Sequence, residues 1–287
     1  MADLVVAELV VALGEARYRV ERPFGSWPKN TGFVTDVTVD PRGHVFAMLR
    51  HDPLVHPADP RVIELSPSGE YLAGWGGETI ADSHYLTADA DGALWAVDRD
   101  MHEVIRFSRD GTRLGGLGAR GRPLEPFNHP TDVHVSAWGD VYVADGYAAA
   151  RIHRFDAEGR ALGAWGAYGA RDDEFAWPHA LWTFPDGRVV VVDRPHDRVQ
   201  VFDQEGRHLA TWRDFVQPVE IWGDAEGRAY VTDLVPSLHL MAPDGTRLGR
   251  CRPVLNGAHG LSGTPDGGVL YLAESNPSRI TRLVRIG

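Results

Sequence analysis

Apolar and polar residues alternate along most of this 287-residue chain, in short stretches separated by glycine-containing turns. Six turns of the Pro-Asp-Gly or Asp-x-x-Gly kind recur, and most are followed by a β-branched run that ends in an acid. Alternation with a period of two, bounded by Gly and Asp turns, is typical of strands joined in hairpins. The turn glycines are Gly43, Gly92, Gly139, Gly187, Gly227 and Gly267.

Each copy of this pattern contains further strand-like stretches after the acid. A third stretch is seen at 103–107, 151–155 and 198–202, and a fourth, outer one at 159–165 and 206–212. Four short strands repeated every ~40 to 45 residues are typical of a β-propeller blade. We therefore predict an all-β, six-bladed β-propeller that forms a single domain over residues 1–287. The predicted blades cover approximately 32–76, 82–118, 127–166, 175–212, 216–251 and 256–286.

The last copy stops after three strands, so its outer strand has to come from another part of the chain. The segment Tyr18–Arg22, with the following Gly25–Trp27, has the right pattern. We expect this N-terminal strand to close the ring, which removes sheet edges that would otherwise favour aggregation. The pattern gives no role to residues 1–16.

Composition excludes several classes of partner. The net charge is −11, with 29 Lys and Arg against 40 Asp and Glu, and no basic stripe is interleaved with aromatic residues. Nucleic acid and anionic membranes are therefore poor partners. No apolar run reaches the ~18 residues of a membrane span.

The single cysteine, Cys251, excludes an internal disulfide and fits a reducing compartment. Because Glu8 interrupts the apolar stretch 4–13 and no basic residue precedes it, we expect a cytoplasmic location. The oligomeric state is not predicted.

Histidine occupies one repeat position in alternate blades. In a ring of six blades, such side chains approach the central axis from three directions about 120° apart. Neutral imidazoles suit Zn²⁺, Fe²⁺, Co²⁺ or Cu²⁺, and three protein ligands with one open position are typical of catalytic zinc. We therefore predict one divalent transition metal, zinc first, on His84, His179 and His259. Eight residues before the turn glycine stand Thr35, His84, Thr131, His179, Val219 and His259.

Acids occupy the next repeat position in the other three blades, as Asp36, Asp132 and Glu220. Innermost strands line the channel of a propeller, so the two rows should form neighbouring rings near one mouth. We expect these acids to contact the substrate, with Glu220 and Asp132 binding an amine or acting as a second acid-base group. His129 lies ten residues before its glycine, in a structural His-Pro pair, and is a further candidate for contact with the metal or substrate.

The alternative to a metal site is that the three histidines are ordinary core residues. A single histidine is more often hydrogen-bonded packing than a metal ligand, but three at one repeat position in alternate blades are harder to explain in that way. The metal interpretation is therefore favoured.

Several segments carry a resemblance to a known family. They resemble parts of the peptidyl-α-hydroxyglycine α-amidating lyases, which are NHL-type six-bladed propellers, and the resemblance runs from about Gly32 to the end of the chain. Its specific part is the joint occurrence of Arg50, His84, Tyr147, His179 and His259. The segments are Leu49–His51, Ser83–Leu86, Phe127–Val133, Val143–Tyr147 with Arg151–Ile152, Trp177–Leu181 and Ala258–Leu261.

The resemblance implies a reaction and roles for these residues. The three histidines would hold a catalytic metal, usually zinc, and the enzyme would break the N–C bond of an α-hydroxyglycine to give an amide and glyoxylate. Tyr147 would take the substrate hydroxyl proton, its pKa lowered by the metal and by Arg50. Arg50 would also orient a substrate carboxylate or carbonyl with its planar fork.

The chain departs from the family pattern at two positions. Gly260 stands where the family has an aspartate that helps to hold a structural calcium, so either Asp36 supplies a substitute carboxylate or the calcium is absent. Ala148 replaces the family's cysteine, which agrees with a protein lacking disulfides. We therefore expect a small hydroxylated amide or acid as the substrate, rather than a secreted peptide.

Other interpretations stay open at this point. Arg50 precedes an insertion, 51–60, and would in the simplest case only pair with Asp52 or Asp59. The insertion contains His51 and His56, and is a candidate lid whose histidines reach the substrate. Tyr147 would otherwise only cap a loop. At the level of function, the alternatives are a metal-dependent hydrolase such as a lactonase, a hydratase, or a non-catalytic NHL propeller that binds a ligand or protein.

Overall fold

The computed structural model describes residues 8–28 and 32–287, and these residues form six antiparallel sheets arranged around an axis. The predicted fold class, an all-β six-bladed propeller, is confirmed. Within the described ranges, the helical structure consists of one short 3₁₀ turn at Arg194–His196. None of these residues forms a helix with the length and apolar character needed to cross a bilayer.

The strands follow one another from the axis to the rim in the first five blades. The N-terminal strands are β1 (Val10–Leu13) and β2 (Ala16–Glu21). Blade 1 contains β3 (Phe33–Val39), β4 (Val45–Arg50), β5 (Val62–Leu65) and β6 (Tyr71–Trp75). Blade 2 contains β7 (Ser83–Ala88), β8 (Leu94–Asp98), β9 (Glu103–Phe107) and β10 (Arg113–Gly118). Blade 3 contains β11 (Asp132–Val135), β12 (Val141–Asp145), β13 (Arg151–Phe155) and β14 (Ala161–Trp165).

The remaining blades follow the same order, and only the last one borrows strands. Blade 4 contains β15 (Pro178–Thr183), β16 (Val189–Asp193), β17 (Arg198–Phe202) and β18 (His208–Trp212). Blade 5 contains β19 (Pro218–Gly223), β20 (Ala229–Asp233), β21 (Leu238–Met241) and β22 (Arg247–Cys251). Blade 6 contains β23 (Ala258–Gly263), β24 (Val269–Ser275) and β25 (Ser278–Arg285).

The N-terminal segment closes the ring, as predicted. Strand β2 pairs with β25, and β1 adds a fifth, outermost strand that the sequence pattern did not indicate. The predicted continuation at Gly25–Trp27 is wrong, because these residues lie outside any strand. Pro23 has no N–H to offer and ends the ladder. Phe24 then donates its backbone N–H to the Ile280 carbonyl at 2.7 Å. Residues 1–7 lie outside the described residues.

Every inner strand carries an irregularity at the same place. Neighbouring residues of a regular strand point to opposite faces, whereas a β-bulge sets two residues against one partner and turns both to one side. In blade 3, for example, Thr131 and Asp132 both pair with Ala144. Two consecutive rows of side chains can therefore face the channel. In the other blades the register shifts lie between Val34 and Asp36, Ser83 and Leu86, Pro178 and Ala180, Pro218 and Ile221, and Ala258 and Gly260.

Apolar side chains fill the space between adjacent sheets, and buried acids fix the loops above them. The β-branched residues of β16 are fully buried, each contributing about 1.5–3 kcal/mol relative to an exposed position. The acid that ends the second strand accepts backbone N–H groups from the segment leading into the inner strand. Asp98 accepts from Ala81 and Asp82 at 2.8 and 2.9 Å, and Asp193 accepts from Ala176 at 2.9 Å. Blade 1 has the buried, apolar Leu49 at this position and therefore lacks this contact.

Tyr18→Ala tests how much the closing strand contributes to stability. It should lower the free energy of unfolding by about 3–5 kcal/mol, because a buried aromatic ring is lost, together with the 2.8 Å hydrogen bond that its hydroxyl donates to the Gly267 carbonyl. Arg17→Ala, at the exposed neighbouring position, is the matched control and should change it by less than about 0.5 kcal/mol. Urea unfolding measures both, and equal effects would contradict a stabilising role for β2.

Candidate metal centre

The three predicted histidines meet on the axis. His84, His179 and His259 extend from the inner strands of blades 2, 4 and 6, and one ring nitrogen of each lies within 4.8 Å of the other two. Their ring centroids form a nearly equilateral triangle, with separations of 5.3, 5.2 and 5.2 Å. Within residues 8–28 and 32–287, this is the one set of His, Cys, Asp or Glu side chains that converges so closely.

Each imidazole is oriented by a backbone carbonyl of the next blade. The Nδ1 atoms of His84, His179 and His259 lie 2.7, 2.8 and 2.8 Å from the carbonyl oxygens of Thr131, Val219 and Thr35. A carbonyl can only accept, so each Nδ1 carries the proton and donates it. The Nε2 atoms are then left unprotonated, as a metal requires. Histidine ligands in metalloproteins are commonly oriented by such hydrogen bonds.

The electrostatic environment also keeps the imidazoles neutral. Burial lowers the pKa of His84 and of His179 well below its usual range, and their imidazole neighbours lower it further. Burial lowers the pKa of His259 to about 4. Metal binding requires neutral imidazole, so these shifts favour the ligand form at neutral pH. Three neutral nitrogens with free Nε2 atoms are a donor set that fits zinc.

Tyr147 lies over the tripod. Its hydroxyl is 3.1 Å from Nε2 of His84 and 3.1 Å from Nε2 of His179. Gly146 permits this approach, because a Cβ there would collide with the Pro178 carbonyl oxygen. Tyr147 also donates its backbone N–H to the His129 carbonyl at 3.3 Å. In the protein alone, burial raises the pKa of Tyr147 in spite of the nearby arginines. The expected lowering of its pKa therefore depends on a metal.

Three arginines surround this tyrosine. Arg50 pairs with Asp82 at 2.6 Å, rather than with either acid of the insertion. Arg99 binds the same carboxylate through Nε at 2.8 Å, and its Cζ lies 5.3 Å from the centroid of the Tyr147 ring. Arg194 donates from Nη1 to Nε2 of His179 at 3.2 Å. Burial raises the pKa of Asp82 to about 6, against the effect of the two arginines.

Sequence reasoning missed Arg99, Arg194 and Asp82, although the repeat contains a signal for the two arginines. Each arginine directly follows the acid that ends the second strand, in blades 2 and 4, which also carry His84 and His179. Alignment of the second strands would therefore have found both. Asp82 lies in a loop, and no repeat position predicts its contacts.

Tyr85 forms the floor of the site. Its ring packs against His84, His179 and His259, with centroid separations of 4.8, 5.6 and 5.1 Å. Its hydroxyl donates to the His259 carbonyl at 2.7 Å. Since the side chain starts in blade 2 and reaches blade 6, it crosses the axis beneath the tripod. It therefore separates the metal centre from the rest of the channel.

The three predicted acids lie one layer deeper than the histidines. Asp36 accepts the Leu86 N–H and Asp132 accepts the Leu181 N–H, both at 2.7 Å, so each connects its blade to the next. Together with Glu220 they line an axial cavity of about 800 Å³, to which the tripod does not contribute. The structure thus places these acids on the far side of Tyr85 from Tyr147 and the arginines.

The geometry of Asp36 bears on the expected calcium. A Cβ at Gly260 would collide with Oδ1 of Asp36. The Asp36 carboxylate therefore occupies the space that an acidic side chain at position 260 would use. A structural calcium at this place stays a prediction.

The structure places His51 and His129 away from the tripod. Nδ1 of His51 lies 3.6 Å from Asp59, within the insertion. That insertion is held by the buried Arg61, which donates to the carbonyls of His56 and Asp59 at 3.0 and 2.8 Å. The His129 ring packs edge-on against His102, at a centroid separation of 4.4 Å. Their contact with a substrate stays a prediction.

Comparison with known proteins agrees with the propeller fold. No protein-family model matches the chain. Peptidyl-alpha-hydroxyglycine alpha-amidating lyase 1 of Drosophila melanogaster is 28% identical over 261 residues, which cover 78% of this chain and 48% of the relative. The human NHL repeat-containing protein 3 is 28% identical over 208 residues, which cover 66% and 58%. The chain is an NHL-type propeller similar to the peptidyl-α-hydroxyglycine α-amidating lyases.

Two further facts delimit this similarity. The chain spans about half the length of the curated relatives it matches. Among solved structures, a streptogramin B lyase superimposes with a TM-score of 0.69 at 15% identity, over 96% of this chain and 100% of the other. At that identity the likeness concerns the fold alone.

His179→Ala tests the tripod directly. After incubation with zinc and dialysis, it should retain only a small fraction of the metal that the unaltered chain binds, because two ligands remain of three. His208→Ala is the matched control, since this histidine contacts Thr211 at 2.9 Å on an outer strand. Elemental analysis gives the zinc content of each protein. Undiminished zinc in His179→Ala would remove this residue from the ligand set.

Proposed function

We propose that the protein is a metal-dependent lyase that cleaves the N–C bond of a small α-hydroxyglycine-type substrate. The observation that carries this proposal is the position of Tyr147, whose hydroxyl lies 3.1 Å from the unprotonated Nε2 atoms of His84 and His179. A phenol beside a three-histidine centre suits removal of a proton from a hydroxyl held there. The similarity to amidating lyases supports the same reaction class.

His84, His179 and His259 would hold the metal, with zinc as the first choice. When bound, zinc supplies Lewis acidity that lowers the pKa of a hydroxyl beside it. Tyr85 excludes water from one side of the tripod, because its ring packs against all three imidazoles. The side towards Tyr147 is left for the substrate.

The chemistry needs only a proton transfer and the cleavage of one bond. Tyr147, as the phenolate, takes the proton of the substrate hydroxyl. The oxygen electrons then form the C=O bond of glyoxylate while the C–N bond breaks. The nitrogen leaves as an amide after it receives one proton, so no oxidant or reductant is required. The phenolate is stabilised by Arg194, Arg99 and Arg50, each of which lowers the pKa of Tyr147 against the effect of burial.

The arginines suit recognition of a carboxylate. Arg50 and Arg99 share the Asp82 carboxylate and Arg99 also pairs with Asp100, so three guanidinium groups near Tyr147 face two acids. Within the described residues, the terminal nitrogens of Arg99 make no hydrogen bond. A planar fork with free terminal nitrogens binds a carboxylate well.

Tyr147→Phe tests the proposed base. It should retain zinc but lose about 10²- to 10⁴-fold in turnover, the usual contribution of a general base. Tyr168→Phe is the control, because Tyr168 is 79% exposed. Release of glyoxylate from an N-acyl-α-hydroxyglycine measures both variants. Near-normal turnover of Tyr147→Phe would exclude the phenol as the base.

Arg99→Gln tests the recognition of a carboxylate. It should raise KM roughly tenfold or more, by removing a charge-assisted interaction, with a smaller effect on kcat. The neutral methyl ester of the same substrate should show no such difference between the variant and the unaltered enzyme. Arg151→Gln, at an exposed position of β13, is the control. An equal rise in KM for acid and ester would exclude recognition of the substrate carboxylate by Arg99.

A further inference from the structure

Three buried acids on the axis lack a cationic partner. Asp36, Asp132 and Glu220 are only 4%, 6% and 5% exposed. Among the ion pairs of residues 8–28 and 32–287, none involves any of the three, although most other buried acids of the propeller face an arginine or histidine. Buried charges in proteins are normally paired or bind a cation. This set of acids therefore requires an explanation that the metal centre does not supply.

One oxygen of this set has no hydrogen bond. Oε1 of Glu220 accepts the Ile221 N–H at 2.8 Å, but Oε2 is buried and unpartnered. The hydroxyl of Tyr85 lies close by, yet it donates to the His259 carbonyl at 2.7 Å. A buried polar atom without a partner is rare in folded proteins and indicates a missing ligand or a special role.

Aromatic side chains form the next layer of the same channel. Residues two positions further along a strand face the same side, which puts His134, Trp182 and Trp222 beside the acids. The His134 and Trp182 rings are 4.0 Å apart, and those of Trp182 and Trp222 are 6.0 Å apart. All three residues line the axial cavity with the acids. Carboxylates beside aromatic faces are typical of sites that bind organic ammonium ions.

The spacing of the acids argues against a single bare metal ion. A divalent cation such as Ca²⁺ takes its oxygen ligands at about 2.3–2.6 Å. Among the described residues, only the three histidines bring ligand atoms within 4.8 Å of one another, so the acids are more widely spread. The cavity, of about 800 Å³, also falls in the range of roughly 300–1,000 Å³ found for small-molecule sites.

We propose that the axial cavity on the far side of Tyr85 binds a small organic ammonium ion. Glu220 accepts a hydrogen bond from its nitrogen through Oε2, Asp36 and Asp132 supply further negative charge in the same cavity, and Trp182 and Trp222 contact its apolar stem. This site is separate from the metal centre and does not depend on the proposed lyase activity. Burial raises the pKa of all three acids, that of Asp132 to about 7, and a bound cation would lower these pKa values again.

Calorimetric titration of the full chain, loaded with zinc, tests the proposal. The probes are n-butylammonium, the neutral n-butanol of similar shape, and calcium chloride. We expect n-butylammonium to bind, n-butanol not to bind, and the affinity for n-butylammonium to fall about tenfold or more in Glu220→Gln and Asp132→Asn. Asp91→Asn is the matched control, because Asp91 is an exposed acid at the rim of the same cavity and should leave binding unchanged.

Several results would overturn the proposal. They are the absence of n-butylammonium binding, equal binding of n-butanol, or unchanged affinity in Glu220→Gln. Calcium binding that is lost in Glu220→Gln, without competition from n-butylammonium, would assign the acids to a metal instead. Retained zinc and an unchanged near-ultraviolet circular dichroism spectrum would show that a variant is folded. If Glu220→Gln does not fold, Trp222→Leu replaces it, with the same expected loss of affinity.

Discussion

The candidate metal centre depends on three hydrogen bonds that cross the boundaries between blades. His84, His179 and His259 each donate from Nδ1 to a backbone carbonyl of the following blade, at 2.7 to 2.8 Å. The side chain and the carbonyl belong to the same repeat position, which faces the axis because every inner strand contains a bulge. The tripod is therefore a property of the closed ring, and not of any single blade. Since the bond from His259 reaches Thr35 in the first blade, closure by β2 and the shape of the metal site are linked.

Function is concentrated where one blade departs from the rule that the others follow. The acid at the end of the second strand fixes a loop in blades 2 to 6, whereas blade 1 has the apolar Leu49 there, and the guanidinium of the following residue, Arg50, reaches Asp82. The row below the histidines has acids in three blades, but blade 2 supplies Tyr85, which crosses the axis. Arg50 thereby reaches an acid close to Tyr147, and Tyr85 packs against all three histidines. A repeat protein can change single positions in this way because its neighbouring blades preserve the scaffold.

Alignment of the repeats predicts how far along the axis each residue lies and which blade carries it. Much of the structure follows from these two coordinates. The six blades, the closure at Tyr18 and the meeting of the histidines could all be predicted. The direction in which a long side chain leaves its strand could not be predicted. Tyr85 shares its repeat position with the acids of blades 1, 3 and 5, yet its ring lies under the tripod, and the acids that were expected to face the substrate lie beyond it. Asp82 could not be placed either, because loops between blades have no repeat position. Pro23 ended the closing strand earlier than expected because an imino acid has no N–H to donate.

Tyr85 also separates two chambers of opposite charge. Arg50, Arg99 and Arg194 surround the side with Tyr147, and the acids line the other side. Two unit charges about 10 Å apart interact by about 2 kcal/mol at an effective dielectric constant of ~20, so a tyrosine ring does not isolate the chambers electrostatically. Ionised acids would raise the pKa of Tyr147 and oppose its action as a base. Neutral acids, or acids paired with a cation, would leave the pKa of Tyr147 unchanged. The raised pKa of Asp132, at about 7, therefore favours the proposed chemistry on the other side of the ring, and the proposed ammonium ion would have the same effect at higher pH.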